Sequence, residues 1–167
     1  MNIHGTFYFT KTKSGNLLGE FINNGLKNFI VESANIDEGF CKEKFEAEYA
    51  PIVEKFGLSV FPYWSLAAGF LTGKYRTEED FETTARGGGI KKYFDDKGKA
   101  VLAALDKVSE KHQSQPATVA LAWLLANPLI TAPIVSATSE RQLQTIFDAP
   151  KLELDSEDLE ILNQASK

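Results

Sequence analysis

The sequence predicts an α/β fold entered through a small β-rich segment, on three observations. Short apolar runs separated by turn residues fill positions 1–40. Apolar residues recur at helical spacing from about position 42 onward. One of those helices feeds a short apolar run, Leu58–Phe61, through Gly57, which is the order of elements in a parallel sheet. The change of period places a boundary near residue 40, with a β meander before it and an α/β portion over 41–167.

In the first portion the expected strands are Thr6–Thr10, Leu17–Ile22 and Lys27–Glu32. Between the second and third lies Asn24-Gly25, a pair that takes positive φ at little cost and so marks a hairpin. Alternation puts Phe7 and Phe9 on one face, and so small a sheet must lay that face on another surface.

Phe45, Tyr49, Ile52, Val53 and Phe56 then form one helical stripe, in which Pro51 fits only near the first turn or at a kink. Gly57 ends that helix, and Leu58–Phe61 follows as a strand. The polar stretch from Thr77 to Asp96 carries Arg86-Gly87-Gly88-Gly89 and reads as an exposed, mobile loop of functional length, a lid candidate. Val101, Leu102, Leu105 and Val108 mark an amphipathic helix. Pro116 opens a second helix, Ala117–Ala126, which is apolar nearly all round and therefore buried. Ile130–Val135 reads as another short strand. Ser139 and Gln142 have capping-box spacing, and Asp155-Ser156 opens a last helix with Leu159, Leu162 and Ala165 inward.

Composition narrows the function. The net charge is −5 and no basic block stands out, so nucleic acid is not an expected partner. One cysteine, Cys41, excludes an internal disulfide framework, and with two histidines it makes no zinc site of the usual Cys/His kind, so no metal is expected. A reducing, cytoplasmic setting fits that thiol usage. No apolar run approaches the ~20 residues of a membrane span, and Met1–Gly5 offers neither the basic nor the apolar region of an export signal.

Two segments could carry chemistry. Tyr63–Lys74 follows the first α/β strand at its carboxyl end, where α/β sheets hold ligands. It can equally be a tight turn whose aromatics cover the end of the sheet. It is not a phosphate-binding P-loop, because Gly69 and Gly73 enclose three residues and Tyr75 follows Lys74. The second segment, Ser136–Gln142, places hydroxyls at a helix start, which suits an anion. Ordinary capping by Ser139 and Gln142 accounts for the same residues, with Arg141 standing unfavourably placed for the helix dipole.

Read together, GLSVFPYWSLAAGFLTGKYR over residues 57–76, PATVALAWLL over 116–125 and APIVSATS over 132–139 resemble the C-terminal part of an aldo-keto reductase. The resemblance runs from about Phe45 to Ser166. It implies the last two strands of a (β/α)8 barrel with their helices, a partial barrel, since a complete one takes ~250 residues.

The same resemblance implies NADP(H) as cofactor and carbonyl reduction as the family's activity. Tyr63 matches the aromatic that stacks on the nicotinamide. Ser65, Leu66 and Gly69 match the loop along the pyrophosphate. Ser136, Thr138, Ser139 and Gln142 match the segment receiving the 2′-phosphate end, with Arg141 beside it. Ile146 stands where many members place an Asn that serves the adenine. The family's Asp, Tyr, Lys and His tetrad comes from the first half of its barrel, and no motif here matches that half. His4 and Tyr8 share residue types only, and His112 reads as solvated.

The expectation is a truncated or rearranged reductase with weak NADP(H) binding and no catalysis alone, associating with itself or with a complementary chain. The alternative is a non-catalytic interaction module, or a gene-fragment fusion, in which the barrel part is scaffold.

Overall fold

The computed structural model describes residues 28–32, 45–82 and 87–167. Strand β1, Asn28–Glu32, pairs in parallel with β2, Ser59–Tyr63, with Asn28 opposite Ser59 and Glu32 opposite Tyr63. A parallel pair requires a crossover, and this one contains a π-helical turn, Phe45–Tyr49, running into α1, Ala50–Phe56. Pro51 sits in the first turn of α1, where its missing N–H is harmless. Gly57 closes the helix at φ 59°, and the Leu58 N–H donates to the Val53 carbonyl at 3.0 Å. The stripe read from the sequence divides: Phe45 and Val53 pack with Leu58 and Val60, whereas Phe56 is 42% exposed.

The expected third strand of the meander is therefore present, but as a parallel neighbour of β2 inside the α/β layer. The two earlier strands and the Asn-Gly turn lie outside the described residues.

The strand expected over 130–135 is reduced to a parallel bridge between Val60 and Ile130, continued by donation from Thr131 N–H to Val60 O (2.9 Å) and from Ile134 N–H to Pro62 O (2.8 Å). Two features interrupt the ladder. Pro62 and Pro133 have no N–H to give, and the Val60 N–H donates to the Thr131 hydroxyl at 3.0 Å instead of to a backbone carbonyl. The result is three adjacent parallel segments, β1, β2 and residues 130–134.

Beyond β2 the chain is helical. After a 3-10 turn over Ala67–Thr72 come α2, Glu79–Glu82, and α3, Gly87–Ile90, followed by a 3-10 turn over Lys91–Tyr93. The long α4, Asp96–Lys111, is capped by Asp95, whose carboxylate accepts from the Gly98 N–H at 2.7 Å. Gly98 must be glycine, because a Cβ there would overlap the Tyr93 carbonyl. Helix α5, Pro116–Leu125, is buried from Ala117 to Leu124 as its all-round apolarity predicts. Helix α6, Glu140–Asp148, buries none of its residues. After a last 3-10 turn, Ala149–Lys151, helix α7, Ser156–Ala165, starts from a reciprocal Asp155/Asp158 capping box.

The main core joins Phe70, Tyr75, Val101, Leu105, Val119, Trp123 and Leu162 among others. The lid expected over Thr77–Asp96 is corrected by this core. Tyr75 stacks on Phe81 at 5.3 Å between ring centroids, Phe81 meets Phe94 edge-on at 5.1 Å, and Ile90 and Tyr93 are buried. Apolar side chains spaced among the polar ones tie this segment down, so among its described residues it is part of the body.

Candidate functional site

The Tyr63–Lys74 loop leaves the carboxyl end of β2 and turns at once. Trp64, Ala67 and Ala68 take φ of 64°, 48° and 55°, and Gly69 and Gly73 take 99° and 76°. For a non-glycine residue such a backbone costs about 1–2 kcal/mol, and it persists where surroundings hold it. Three internal hydrogen bonds do part of this. The Ala67 N–H donates to Trp64 O (2.7 Å), Gly69 N–H to Leu66 O (2.8 Å) and the Thr72 hydroxyl to Gly69 O (2.7 Å). Ser65, fully buried, donates its hydroxyl to Pro62 O at 3.0 Å, with Ile134 O at 3.4 Å. Ser65 thus anchors the loop to both strand segments and does not present its hydroxyl outward. Tyr63 and Leu66 are half-buried, and the Tyr63 ring lies 5.8 Å from that of Trp64, tilted by 58°.

One residue that the sequence left without a role joins the loop. The Lys74 ammonium lies over the Tyr75 ring at 4.9 Å, and a Cβ built on Gly69 would be 3.6 Å from the Lys74 Nζ. The Lys74 ammonium therefore lies against the Gly69 turn. The Gly-x-x-x-Gly-Lys spacing of Gly69, Gly73 and Lys74 is the sequence signal for this contact, although it fits no P-loop.

The second segment leaves the neighbouring carboxyl end. Ser136, Thr138, Ser139, Arg141 and Gln142 are all exposed. The Ser139 hydroxyl accepts from the Gln142 N–H at 3.3 Å, as an N-cap does. The Gln142 side chain reaches one residue further back than a capping box, accepting from the Thr138 N–H (2.8 Å) and the Thr138 hydroxyl (3.1 Å). That ties Thr138 to the start of α6 and folds the segment into a compact turn. Arg141 makes no ion pair among the described residues. Ile146 is half-buried.

Because Ile134 pairs with Pro62 and Ser65 reaches Ile134, the two segments emerge side by side from adjacent parallel strand ends. Each adds a cation, Lys74 and Arg141, to a surface of hydroxyls and backbone turns. Hydroxyls, backbone N–H groups and cations of this kind can hold an anion, and Tyr63 stands at the end of β2 beside them.

His112 departs from its expected role. Its Nε2 lies 2.7 Å from the Asp158 carboxylate, which is sealed from solvent and also accepts from the Lys111 ammonium at 2.8 Å. This cluster joins the end of α4 to the start of α7, away from both loop segments in sequence. Asp158 could not be paired with His112 from the sequence because 46 residues separate them.

Comparison with known proteins bears on the same residues. The model of the aldo/keto reductase family matches residues 31–167. An uncharacterized oxidoreductase, YrpG of Bacillus subtilis, is 34% identical over 119 residues, covering 71% of this chain and 35% of that protein. A probable aldo-keto reductase 1 of Glycine max is 26% identical over 137 residues, 81% of this chain and 40% of its own length. A probable voltage-gated potassium channel subunit beta of Arabidopsis thaliana is 28% identical over 115 residues, 63% and 34%. The chain thus spans between a third and two fifths of the length of these relatives. No helix among the described residues is long and apolar enough to cross a membrane.

Proposed function

The chain belongs to the aldo/keto reductase family, and from that premise we propose that these residues form part of an NADP(H) cleft on a partial (β/α)8 barrel, without the groups that move the proton in carbonyl reduction. The observation that carries this reading is the emergence of Tyr63–Lys74 and Ser136–Gln142 from neighbouring parallel strand ends, tied by the Ile134–Pro62 hydrogen bond.

Bound NADPH would supply a hydride to a carbonyl carbon; everything else falls to the protein. Tyr63 offers a face for the nicotinamide, and stacking of this kind is worth about 0.5–1.5 kcal/mol. The turn at Leu66 and Gly69 keeps side chains clear of the pyrophosphate while Lys74 neutralises it. Ser136, Thr138, Ser139 and Arg141 receive the 2′-phosphate, with Gln142 holding Thr138 in place through its carbonyl oxygen. Ile146 brings no hydrogen bond to an adenine, so affinity is weak.

Reduction also needs a proton donor of suitable pKa beside the carbonyl, and the family's Asp, Tyr, Lys and His tetrad has no matching motif in this sequence. On this reading these residues contribute the cofactor contacts, and the proton donor comes from another part of a barrel or from a complementary chain. A second reading, a non-catalytic interaction module, draws support from the exposed Ile134, Leu143 and Phe147 and from the likeness to a protein named as a channel subunit.

A titration with NADPH followed by cofactor fluorescence, with NADH as control, tests the cleft. Saturable binding that prefers NADPH and weakens roughly three- to tenfold in Tyr63→Ala, and also in Gln142→Ala, is expected. No binding at millimolar cofactor, or binding indifferent to both changes, overturns the cleft and leaves the interaction reading.

A further inference from the structure

Arg76 has no part in the cleft as described, yet its guanidinium makes three charge-assisted hydrogen bonds. The Nε donates to the Gly73 carbonyl at 2.6 Å, while Nη1 and Nη2 fork onto the two carboxylate oxygens of Asp106 at 2.6 and 2.7 Å. Asp106 lies inside α4, the longest helix among the described residues. Gly73 is the left-handed residue that ends the 3-10 turn, its N–H donating to Phe70 O at 3.2 Å. A Cβ on Gly73 would come within 2.6 Å of Arg76 Nη2 and 3.2 Å of the Pro116 ring. The last turn of the loop is therefore clasped between a guanidinium and the first residue of α5.

The backbone of Arg76 is fixed as well. Its N–H and that of Thr77 donate to the Asp80 carboxylate at 2.7 and 2.8 Å, and those two N–H groups, Arg76 first, hold the Asp80 carboxyl below the usual carboxylate range.

We propose that Arg76 and Asp106 are a strut that sets the conformation of the Tyr63–Lys74 loop, acting on the cofactor through Gly73 and never touching it. The geometric part stands on the hydrogen bonds alone; its meaning for NADPH rests on the cleft reading above. The loop holds three non-glycine residues at positive φ and needs restraint at both ends. Ser65 supplies it at the start, on Pro62 and Ile134, and Arg76 supplies it at the end, on the well-packed pair α4 and α5. Lys74 lies between Gly73 and Arg76, so the position of its ammonium beside Gly69 follows from the same clasp. Only arginine can do this. A lysine keeps the charge but cannot bond a carbonyl on one side and fork onto a carboxylate on the other. Both side chains of the pair are more than 40% exposed, and such pairs add little to global stability, so the effect of breaking this one falls on the loop.

The test compares Asp106→Asn, Arg76→Gln, Arg76→Lys and Asp106→Glu in the full chain, reading amide hydrogen exchange in residues 64–75 against 116–125, together with NADPH affinity. Asp106→Asn and Arg76→Gln should speed exchange in 64–75 alone and weaken NADPH roughly three- to tenfold. Arg76→Lys should behave like Arg76→Gln, and Asp106→Glu should restore part of the protection. Unchanged exchange in 64–75, acceleration shared equally with 116–125, or an Arg76→Lys variant indistinguishable from the parent chain overturns the strut. If the parent chain takes up no NADPH, the cleft reading falls by itself, and the exchange pattern still decides whether the strut exists.

Discussion

In the helical layer Phe70, Leu105 and Val119 are sealed from solvent, while on the strand flank Phe56, Ile134, Leu143 and Phe147 keep between 42% and 56% of their surface exposed. Helices α4 and α6 are both amphipathic, so amphipathicity by itself does not decide which face is covered. What differs is that α4, α5 and α7 face one another and close a core among themselves, whereas α6 meets α5 through the Thr118 hydroxyl on the Thr145 carbonyl and half-buries Ile146 but leaves Leu143 and Phe147 exposed.

The largest expected effect sharpens this difference directly. Phe70→Ala, which removes a ring packed on Tyr93 at 5.8 Å between centroids, should destabilise by about 3–5 kcal/mol in urea unfolding. The matching change on the flank, Phe56→Ala, should stay within about 0.5 kcal/mol. Comparable losses at the two sites would mean that the flank is covered in solution.

The ion cluster that fastens α7 to α4 gives the next effect. Burial pushes the Asp158 carboxyl up, but the Lys111 and His112 hydrogen bonds outweigh it and hold the group below the ordinary range. Lys111 first, and then the Asp158 N–H, pull Asp155 down to about 2. Carboxyls whose folded pKa is depressed contribute stability that is complete above their unfolded value near ~3.9 and lost as pH falls through the folded one. The cluster should therefore weaken between about pH 4 and 2. Lys111, raised above its ordinary 10.5 mainly by Asp155 and then Asp158, contributes stability that is complete below that value and lost as pH rises further. Asp158→Ala removes the N3 partner of the capping box and leaves Lys111 and His112 facing its gap. It should cost about 2 kcal/mol at neutral pH and flatten the acid limb of a stability profile measured by thermal unfolding. An unaltered acid limb would place the acid-sensitive groups elsewhere.

The same division between regions governs what could be read from the sequence. Helices α4, α5 and α7 were legible because the signals that make them are local: Pro116 at a first turn, an all-apolar run, Asp155 before Ser156. Gly57 as the terminator of α1 was legible for the same reason. On the strand side Lys27–Glu32 and Leu58–Phe61 were legible as strands, but their pairing was not, because it is decided across long separations. Nothing near Asn28–Glu32 says that its neighbour is Ser59–Tyr63, and nothing near Ile130 says that a Thr131 hydroxyl will replace a ladder carbonyl. In the candidate site the two loop segments were legible through a resemblance, but not the tertiary cations and clasps. The Lys74 ammonium beside Gly69 and the Arg76 fork onto Asp106, 30 residues away, depend on how the loop folds back. The supposed lid failed for a related reason. Glycines and charges dominate the count over Thr77–Asp96, yet Phe81, Ile90 and Tyr93 decide where it lies.

The smallest effect on stability is also the sharpest test of the flank. Leu143 and Phe147 stand one helical turn apart on α6, and Ile134 is exposed at the end of the neighbouring strand segment. Polar replacement at exposed apolar positions changes stability by no more than about 0.5 kcal/mol, so Phe147→Ser alone, or with Leu143→Ser, should unfold like the parent chain. If this surface is an unfinished barrel face that copies of the chain cover for one another, the double variant should sediment as a smaller species than the parent at the same concentration. An unchanged sedimentation coefficient would separate exposure from association: the flank would be open because exposed apolar side chains are tolerated. A loss of stability well beyond that range would say something different again, that α6 is held to the body through these side chains and that the two regions share one core.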